Sequence, residues 1–432
     1  MVDACIILAD SPGALVELCG ISMLERLLRT LQRCGFKRAT VLSNTPEIIG
    51  QHLARPSGPR AEILVTVCRR ATGSVSAKQV VDVWPKGTEF LPLLRGDIVF
   101  DERLLRLLTT QKASAALIDS AVPPRLQTLV SSAPDTIHGK LCGAILLTRE
   151  WPLHQSGFLE QAVCRSLEQN SIIALDVAAQ CSYSAAMRRD LRPVWFVAPD
   201  LPSKKLAERV LLDSTQKGAL DLPAYIHAPI ENFLISRLCR TSITPNQLTV
   251  ICNVMAWSVT ILFATGHLVG GIALAFAVGI LDGLDGKQAR VKVETSKSGK
   301  FEHWFDACFE ISWWTALAYH FHNSGQLPGA FYYLALLLLA ETIDLIAKGS
   351  VLLTYGKLID ELSSFDRLIR LIGGRRNIYI WILTVGIVMG NPARAFVVAA
   401  WWEVATAAVH IPRAAWAVWI RRRSARSKPL FA

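Results

Sequence analysis

Residues 282–310, DGLDGKQARVKVETSKSGKFEHWFDACFE, crowd Asp282, Asp285, Glu302, Asp306 and Glu310 into what is otherwise the most apolar half of the chain. Asp282 and Asp285 stand three residues apart at the end of one apolar run. Glu302, Asp306 and Glu310 recur every four residues at the start of the next. Each spacing puts its acids on one face of a helix, so two acidic faces can meet. Carboxylates in an apolar segment are expensive unless they line a hydrated cavity, pair with cations or bind metal. Hard divalent ions take oxygen ligands, and two such ions can share carboxylates from facing helices. The stretch therefore reads as a centre for hard divalent ions between two acidic helix faces.

The chain as a whole fits a membrane protein with a second, soluble domain. It has 432 residues, of which 51% are hydrophobic, and its mean hydropathy is +0.33, too apolar for an ordinary soluble protein. Its ten cysteines form no CxxC pair and no zinc spacing, so reduced thiols facing the cytosol are expected. The net charge of +11 gathers beside apolar segments, which favours anionic lipid headgroups over nucleic acid as the partner. The opening MVDACIILAD has no basic n-region, and the reading is an uncleaved, cytosolic N-terminus.

Asp282, Asp285, Gly286, Ala289, Arg290 and Gly299 follow the order and spacing of the signature D-x2-D-G-x2-A-R-x8-G-x3-D-x3-D. In this the chain resembles the CDP-alcohol phosphotransferases. The signature asks for acids at 303 and 307, where this chain has His303 and Ala307, with Glu302 and Asp306 each one residue early. A one-residue deletion with Glu replacing Asp accounts for the shift and keeps the four-residue helical spacing. The resemblance implies transfer of a phospho-alcohol from a CDP-alcohol to a hydroxyl acceptor with release of CMP. It implies two Mg2+ or Mn2+ ions held by Asp282, Asp285, Glu302 and Asp306, makes Asp306 the general base, and places Gly286, Ala289, Arg290 and Gly299 against the CDP group. Thr244-Pro245-Asn246 resembles the element that enters the family's first transmembrane helix, which adds Asn246 to the CDP-binding set. His303 reads as a neighbour of the site rather than a ligand, and Glu310, one turn deeper than Asp306, as a carboxylate that either supports the metal ligands or pairs with a cation such as Lys348.

Residues 1–200 alternate β-rich runs (ACIILAD, RATVLSN, EILVTVC, EFLPLLRGD, GAILLT) with helical patterns, the mark of an α/β domain with a mostly parallel sheet. Its opening resembles the nucleotidyltransferases that activate sugar and polyol phosphates, and LLRGDIVFDERLL would put a metal-binding Asp at Asp97. Those enzymes carry a Gly-rich loop with Arg and Lys after the first strand to cradle phosphates. This chain has only Asp10, Ser11, Pro12, Gly13 and Ala14 there, and no basic residue before Arg26. Asp176 and Asp190 come without the usual second acidic motif. The domain is therefore expected to have lost its catalysis and to serve packing or partner binding, with residual cytidylyl transfer as the alternative.

A linker at 201–227 leads into the helical domain, 228–420, which opens with an amphipathic juxtamembrane helix at 229–240 suited to lying on a membrane. Six apolar segments follow, at 246–266, 268–290, 300–321, 328–352, 376–391 and 394–420, and a basic tail closes the chain at 421–432. Lys and Arg concentrate between segments two and three, between four and five, and after six. That places both termini and the acidic cluster on the cytosolic side of a multi-pass protein, with the cell inner membrane expected. Lys348 on segment four, with Arg375 and Arg376 at the head of segment five, would form an anion pocket for a phosphorylated acceptor. The aromatic positions, from Trp304 to Trp402, read as interfacial belt and core packing. Small residues such as those in GIALAFAVG allow close helix packing and a homodimer.

The pairing of domains is similar to the bifunctional enzymes that make CDP-inositol and join it to inositol phosphate, so a polyol or inositol phosphate acceptor is expected. A phospholipid synthase using CDP-diacylglycerol is the alternative within the class. A non-catalytic membrane anchor or scaffold is the alternative outside it.

Overall fold

The computed structural model describes the chain except Met1, Ser11, residues 55–57, 71–74 and 155–156, Leu220, Ser242, and residues 295–298 and 427–432. The chain divides into two compact units, one of Met1–Lys217 with Ser236–Thr241 and Gln288–Thr295, the other made of the rest.

The first unit is built on an eight-stranded sheet. The strands of this unit in chain order are β1 (Ala4–Leu8), the hairpin β2 and β3 (Glu17–Leu18, Ile21–Ser22), β4 (Arg38–Ser43), β5 (Leu64–Arg69), β6 (Phe90–Arg95), β7 (Ile98–Phe100), β8 (Ala115–Asp119), β9 (Asp135–Thr136), β10 (Gly139–Thr148), β11 (Ile173–Asp176), β12 (Tyr183–Ser184), β13 (Arg189–Asp190) and β14 (Trp195–Val197), of which β2 with β3, β12 with β13 and β7 with β14 form separate two-stranded pairs. The sheet runs β11-β8-β10-β6-β1-β4-β5, with β9 on β10. β1 is parallel to both β4 and β6, and β11 to β8, while β10 enters antiparallel between β6 and β8. Ala4 to Ile7 are all buried, as a central parallel strand covered on both faces requires.

The helices of this unit are α1 (Met23–Arg33), α2 (Pro46–Leu53), α3 (Ala77–Asp82), α4 (Glu102–Thr109), α5 (Leu159–Glu168) and α6 (Lys204–Ser214). Ser22 caps α1 by accepting from the Glu25 N–H at 3.2 Å, and Leu24, Leu27, Leu28 and Leu31 bury one stripe. Asp101 caps α4 in the same way through the Arg103 N–H at 2.9 Å. The expected linker is thus partly helical, since α6 lies inside it.

The second unit holds the remaining helices: α7 (Ala224–Leu238) and α9 (Leu268–Val291), whose ends fall in the first unit, with α8 (Pro245–Ala264), α10 (Gly299–Asn323), α11 (Ala330–Tyr355), α12 (Ser364–Ile372), α13 (Arg376–Val388) and α14 (Pro392–Arg426). Helix α7 begins five residues before the expected 229 and runs straight through Pro229. It exposes Tyr225, Ile226, Ile230 and Phe233, an apolar ridge of the kind that lies on a lipid surface. α8 begins at a capping box, in which Thr244 and Gln247 satisfy each other's backbone N–H groups and Pro245 takes the first helical position.

Among the described residues four helices, α8, α9, α11 and α14, are long and apolar enough to cross a membrane, and a fifth is reached if α12 and α13, bent by 45° at their break, count as one span. Six spans were expected from the sequence. The difference lies in α13, whose 13 residues are too few to span alone, and in α10, which at 25 residues is long enough but is not among the four that are also apolar enough. The core of the unit is aromatic. Trp313, Trp314, Phe263, Phe321, Tyr379 and Phe396 are fully buried, with Trp314 edge-on to Tyr379 at 5.3 Å and Phe263 edge-on to Trp313 at 6.3 Å. Tyr319, Tyr332 and Trp401 are instead exposed, as a belt would be.

Candidate active site

Asp282 and Asp285 lie one turn apart near the end of α9, and each is held by a residue from another helix. The Thr249 hydroxyl, one turn into α8, donates to Asp285 Oδ2 at 2.6 Å, and Asp285 is 5% exposed. Arg376, at the first position of α13, pairs with Asp282 Oδ2 at 2.6 Å. Its guanidinium also lies over the Phe309 ring, 5.0 Å from the centroid, and within electrostatic reach of Glu310 and Asp306. One cation from α13 therefore faces acids from both α9 and α10. Gly283, between the two aspartates, leaves room for Glu231 of α7, since a Cβ there would meet its Oε1 at 2.7 Å.

Gly299 and Glu302 fall in the first turn of α10, where the side chains lie outside the described residues, as does the side chain of His303. Asp306 and Glu310 are half-buried on the same helix. Among the described residues no group of three or more His, Cys, Asp or Glu side chains stands at metal-binding spacing. The donors that α9 and α10 do bring are carboxylates alone, and oxygen donors of that kind fit a hard divalent ion.

The other expected residues are distributed as follows. Asn246 is exposed at the start of α8, and Gly286 and Ala289 lie on α9 beyond Asp285. Arg290 belongs to the first unit, where its Nε donates to the Thr215 carbonyl at 2.9 Å. Lys348 pairs with Asp344 one turn away on α11, and Asp344 takes a second contact from His410 Nδ1 of α14 at 2.6 Å. Arg375 is the N-terminal flanking residue of α13. Two of the three cations expected for the acceptor, Lys348 and Arg376, are thus engaged by carboxylates. Nearby, the Tyr379 hydroxyl bonds to the buried Glu403, a contact that no sequence spacing announced.

The first unit has a cleft of about 540 Å³ at the ends of β1 and β6, lined among others by Asp10, Gly13, Arg70, Arg95, Asp97 and Glu160. Arg95 takes Asp97 in a two-pronged grip, Nε to Oδ1 at 3.0 Å and Nη2 to Oδ2 at 2.7 Å. Arg70, from the end of β5, pairs with Asp10. No basic residue precedes Arg26 in the chain, yet two arginines reach this cleft from later strands. Asp176, at the end of β11, accepts from the Ser120 hydroxyl and from the Ser120 and Ala178 N–H groups. Burial pushes its carboxyl upward, but these bonds hold it below the usual carboxylate range. Asp190, two strands' length further on, contacts Ser182 at 3.4 Å and lies exposed.

The chain thus pairs an α/β sheet unit with a unit of membrane-length helices in which α9 carries Asp282 and Asp285. Residues 242–409 match the family described as CDP-alcohol phosphatidyltransferase, so the helical half carries a domain of that family and the chain is a phosphotransferase. Over 357 residues it is 25% identical to the "Bifunctional IPC transferase and DIPP synthase" of Thermococcus kodakarensis, covering 80% of this chain and 77% of that one. Among solved structures it is similar to the inositol-1-phosphate CTP transferase from T. maritima, with 11% identity, TM-score 0.34, and coverage of 48% of this chain and 95% of that one. A UDP-glucose pyrophosphorylase complexed with UDP-glucose matches with 8% identity, TM-score 0.37, and coverage of 49% and 99%.

Proposed function

We propose that this multi-pass membrane transferase moves a phospho-polyol from a CDP-polyol to the hydroxyl of a polyol or inositol phosphate, releasing CMP. The observation that carries the polyol reading is the likeness to the bifunctional relative across both halves of the chain. In this reading Asp282, Asp285, Glu302 and Asp306 hold two Mg2+ or Mn2+ ions. When bound, these ions offset the charge of the pyrophosphate and of the departing CMP. Thr249 fixes Asp285 in its rotamer, and Arg376 keeps Asp282 from being an uncompensated charge while the donor is away. Asp306 takes the proton from the acceptor hydroxyl. Asn246, Gly286, Ala289, Arg290 and Gly299 receive the CDP group, and Lys348, Arg375 and Arg376 receive the acceptor's phosphate. The site and both termini face the cytosol of the cell inner membrane, the chain pairs as a homodimer, and nucleic acid is not a partner.

The test is mass spectrometry of the products that the purified chain forms from CDP-inositol, CDP-glycerol and CDP-diacylglycerol with a panel of polyol phosphates. A phosphodiester of two polyols, formed only with Mg2+ or Mn2+ and abolished by chelation, is the expected product. Turnover of CDP-diacylglycerol alone would make the chain a phospholipid synthase. No CMP from any donor would leave the scaffold reading.

The N-terminal cleft, in the same proposal, no longer activates a polyol phosphate. Between β1 and α1 the chain has no Gly-rich loop carrying Arg and Lys to cradle a nucleoside triphosphate. The full chain given CTP, Mg2+ and polyol phosphates is expected to release no pyrophosphate. Release above that of an Asp97→Asn variant would restore a bifunctional enzyme.

A further inference from the structure

The first unit contains a second cavity, of about 250 Å³, outside the cleft at the strand ends. Five arginines line it: Arg26 and Arg33 from α1, Arg103 and Arg106 from α4, and Arg290. Its two carboxylates are already committed. Asp101 is gripped by Arg103, Nε to Oδ1 at 3.1 Å and Nη2 to Oδ2 at 2.8 Å. Glu102 is held by Arg106 Nε and Nη2 at 2.8 and 2.6 Å. A lining of five guanidinium groups against two engaged carboxylates leaves an excess of positive charge in a partly enclosed space.

The hydrogen-bond ledger of the same residues is incomplete. Arg26 spends its two terminal nitrogens on the carbonyls of Val291 and Leu18, the latter at 3.0 Å. Arg33 Nη2 donates to the Glu294 carbonyl at 2.7 Å. Yet Arg26 Nε, Arg33 Nε and Arg103 Nη1 are shut off from solvent with no hydrogen-bond partner among the described residues. Arg26 is 3% exposed. Burial, with Arg29 close by, pushes its guanidinium down to about 10, and burial also lowers Arg33. A buried donor left unmade costs more than a made bond returns, and three on one cavity mark a place that an acceptor-rich anion completes. The rest of the wall is apolar, with Phe100, Met187, Leu191 and Val194. Space of this size holds more than an inorganic anion, and guanidinium forks match phosphate geometry.

We infer that this arginine-lined cavity of the N-terminal unit is a binding site for a small phosphate monoester. Arg26, Arg33, Arg103 and Arg106 have no part in the transferase site proposed above; Arg290 is shared with its CDP-binding set, and neither variant used below touches Arg290.

The experiment is calorimetric titration of the full chain in detergent with glycerol 3-phosphate and, in a separate arm, inorganic phosphate. Two variants locate the binding. Arg33→Gln removes one unpartnered donor, and Ala186→Glu adds a carboxylate on an exposed lining residue, where it does not disturb the core. Glycerol 3-phosphate is expected to bind the parent chain, with Kd raised at least about 10-fold in both variants, while their unfolding temperatures without ligand match the parent. If Arg33→Gln does not fold, Ala186→Glu alone decides. Tighter binding of inorganic phosphate than of the ester would overturn the ester assignment. No binding to the parent, or equal binding to parent and Ala186→Glu, would overturn the site.

Discussion

Asp306→Asn is expected to abolish nearly all CMP release while leaving the chain folded. Asn keeps the volume and one oxygen but removes both the negative charge and the proton acceptor. A general base contributes about 10²–10⁴-fold to rate, or roughly 3 to 5 kcal/mol of transition-state stabilisation. Asp306 is only half-buried on α10 and shares its field with Glu310 and Asp282 around Arg376. Neutralising it therefore relieves acid–acid repulsion as well as weakening an attraction to the arginine, and the folded state should tolerate the change. His303→Ala is the control, since His303 stands where the family signature expects an acid. The comparison needs single-turnover CMP release and an unfolding curve for each variant. Near-normal release by Asp306→Asn with loss in His303→Ala would move the base to His303 and end the shifted alignment.

Hydrophobic periodicity was enough to read the α/β sheet and the run of apolar helices, because both follow from local pattern. β1 is a continuous buried run, and α8, α9 and α11 each carry an unbroken apolar stretch of spanning length. The count of spans was less legible. Segment five looks continuous as far as Asn391, but Gly390, with its φ of +72°, turns the chain just after α13 ends. Arg370 pairs with Asp360 and Arg376 with Asp282, contacts that the concentration of Lys and Arg between segments four and five does not announce.

The partners of the site residues were illegible for a different reason: they are long-range. Thr249 and Asp285 are 36 residues apart, and Arg376 and Asp282 are 94. The cleft arginines show the same limit. A basic residue was sought between the first strand and first helix, whereas Arg70 and Arg95 arrive from β5 and β6, whose pairing to β4 and β1 brings their ends beside Asp10 and Asp97. A hint did exist in the string TPNQLT. Thr244 and Gln247 are a capping box, which fixes where α8 starts and so sets Thr249 one turn inside it.

Arg376→Met is expected to destabilise the helical unit by about 3 kcal/mol, and divalent metal should partly repair it. The Arg376 side chain is 12% exposed and that of Asp282 29%. Removing one partner of a buried pair costs about 3 to 5 kcal/mol, and the partial exposure of Asp282 places this pair toward the lower end. Arg376 is also the cation that Glu310 and Asp306 sense, so its loss leaves carboxylates of α9 and α10 facing one another. Adding Asp282→Asn to Arg376→Met removes the stranded charge, and the double variant should regain much of the stability. It should not regain activity, because an amide at 282 is a poor ligand for a hard ion. Mg2+ or Mn2+ should raise the unfolding temperature of Arg376→Met more than that of the parent, since the ion can replace the missing cation among the same acids. The measurement is thermal unfolding of the parent, both single variants and the double variant, with chelator and with each metal, alongside CMP release. A double variant no more stable than Arg376→Met would show that the arginine matters through its stacking on Phe309 and Trp313 rather than through its charge. Metal stabilising all four proteins equally would place the ions away from Asp282.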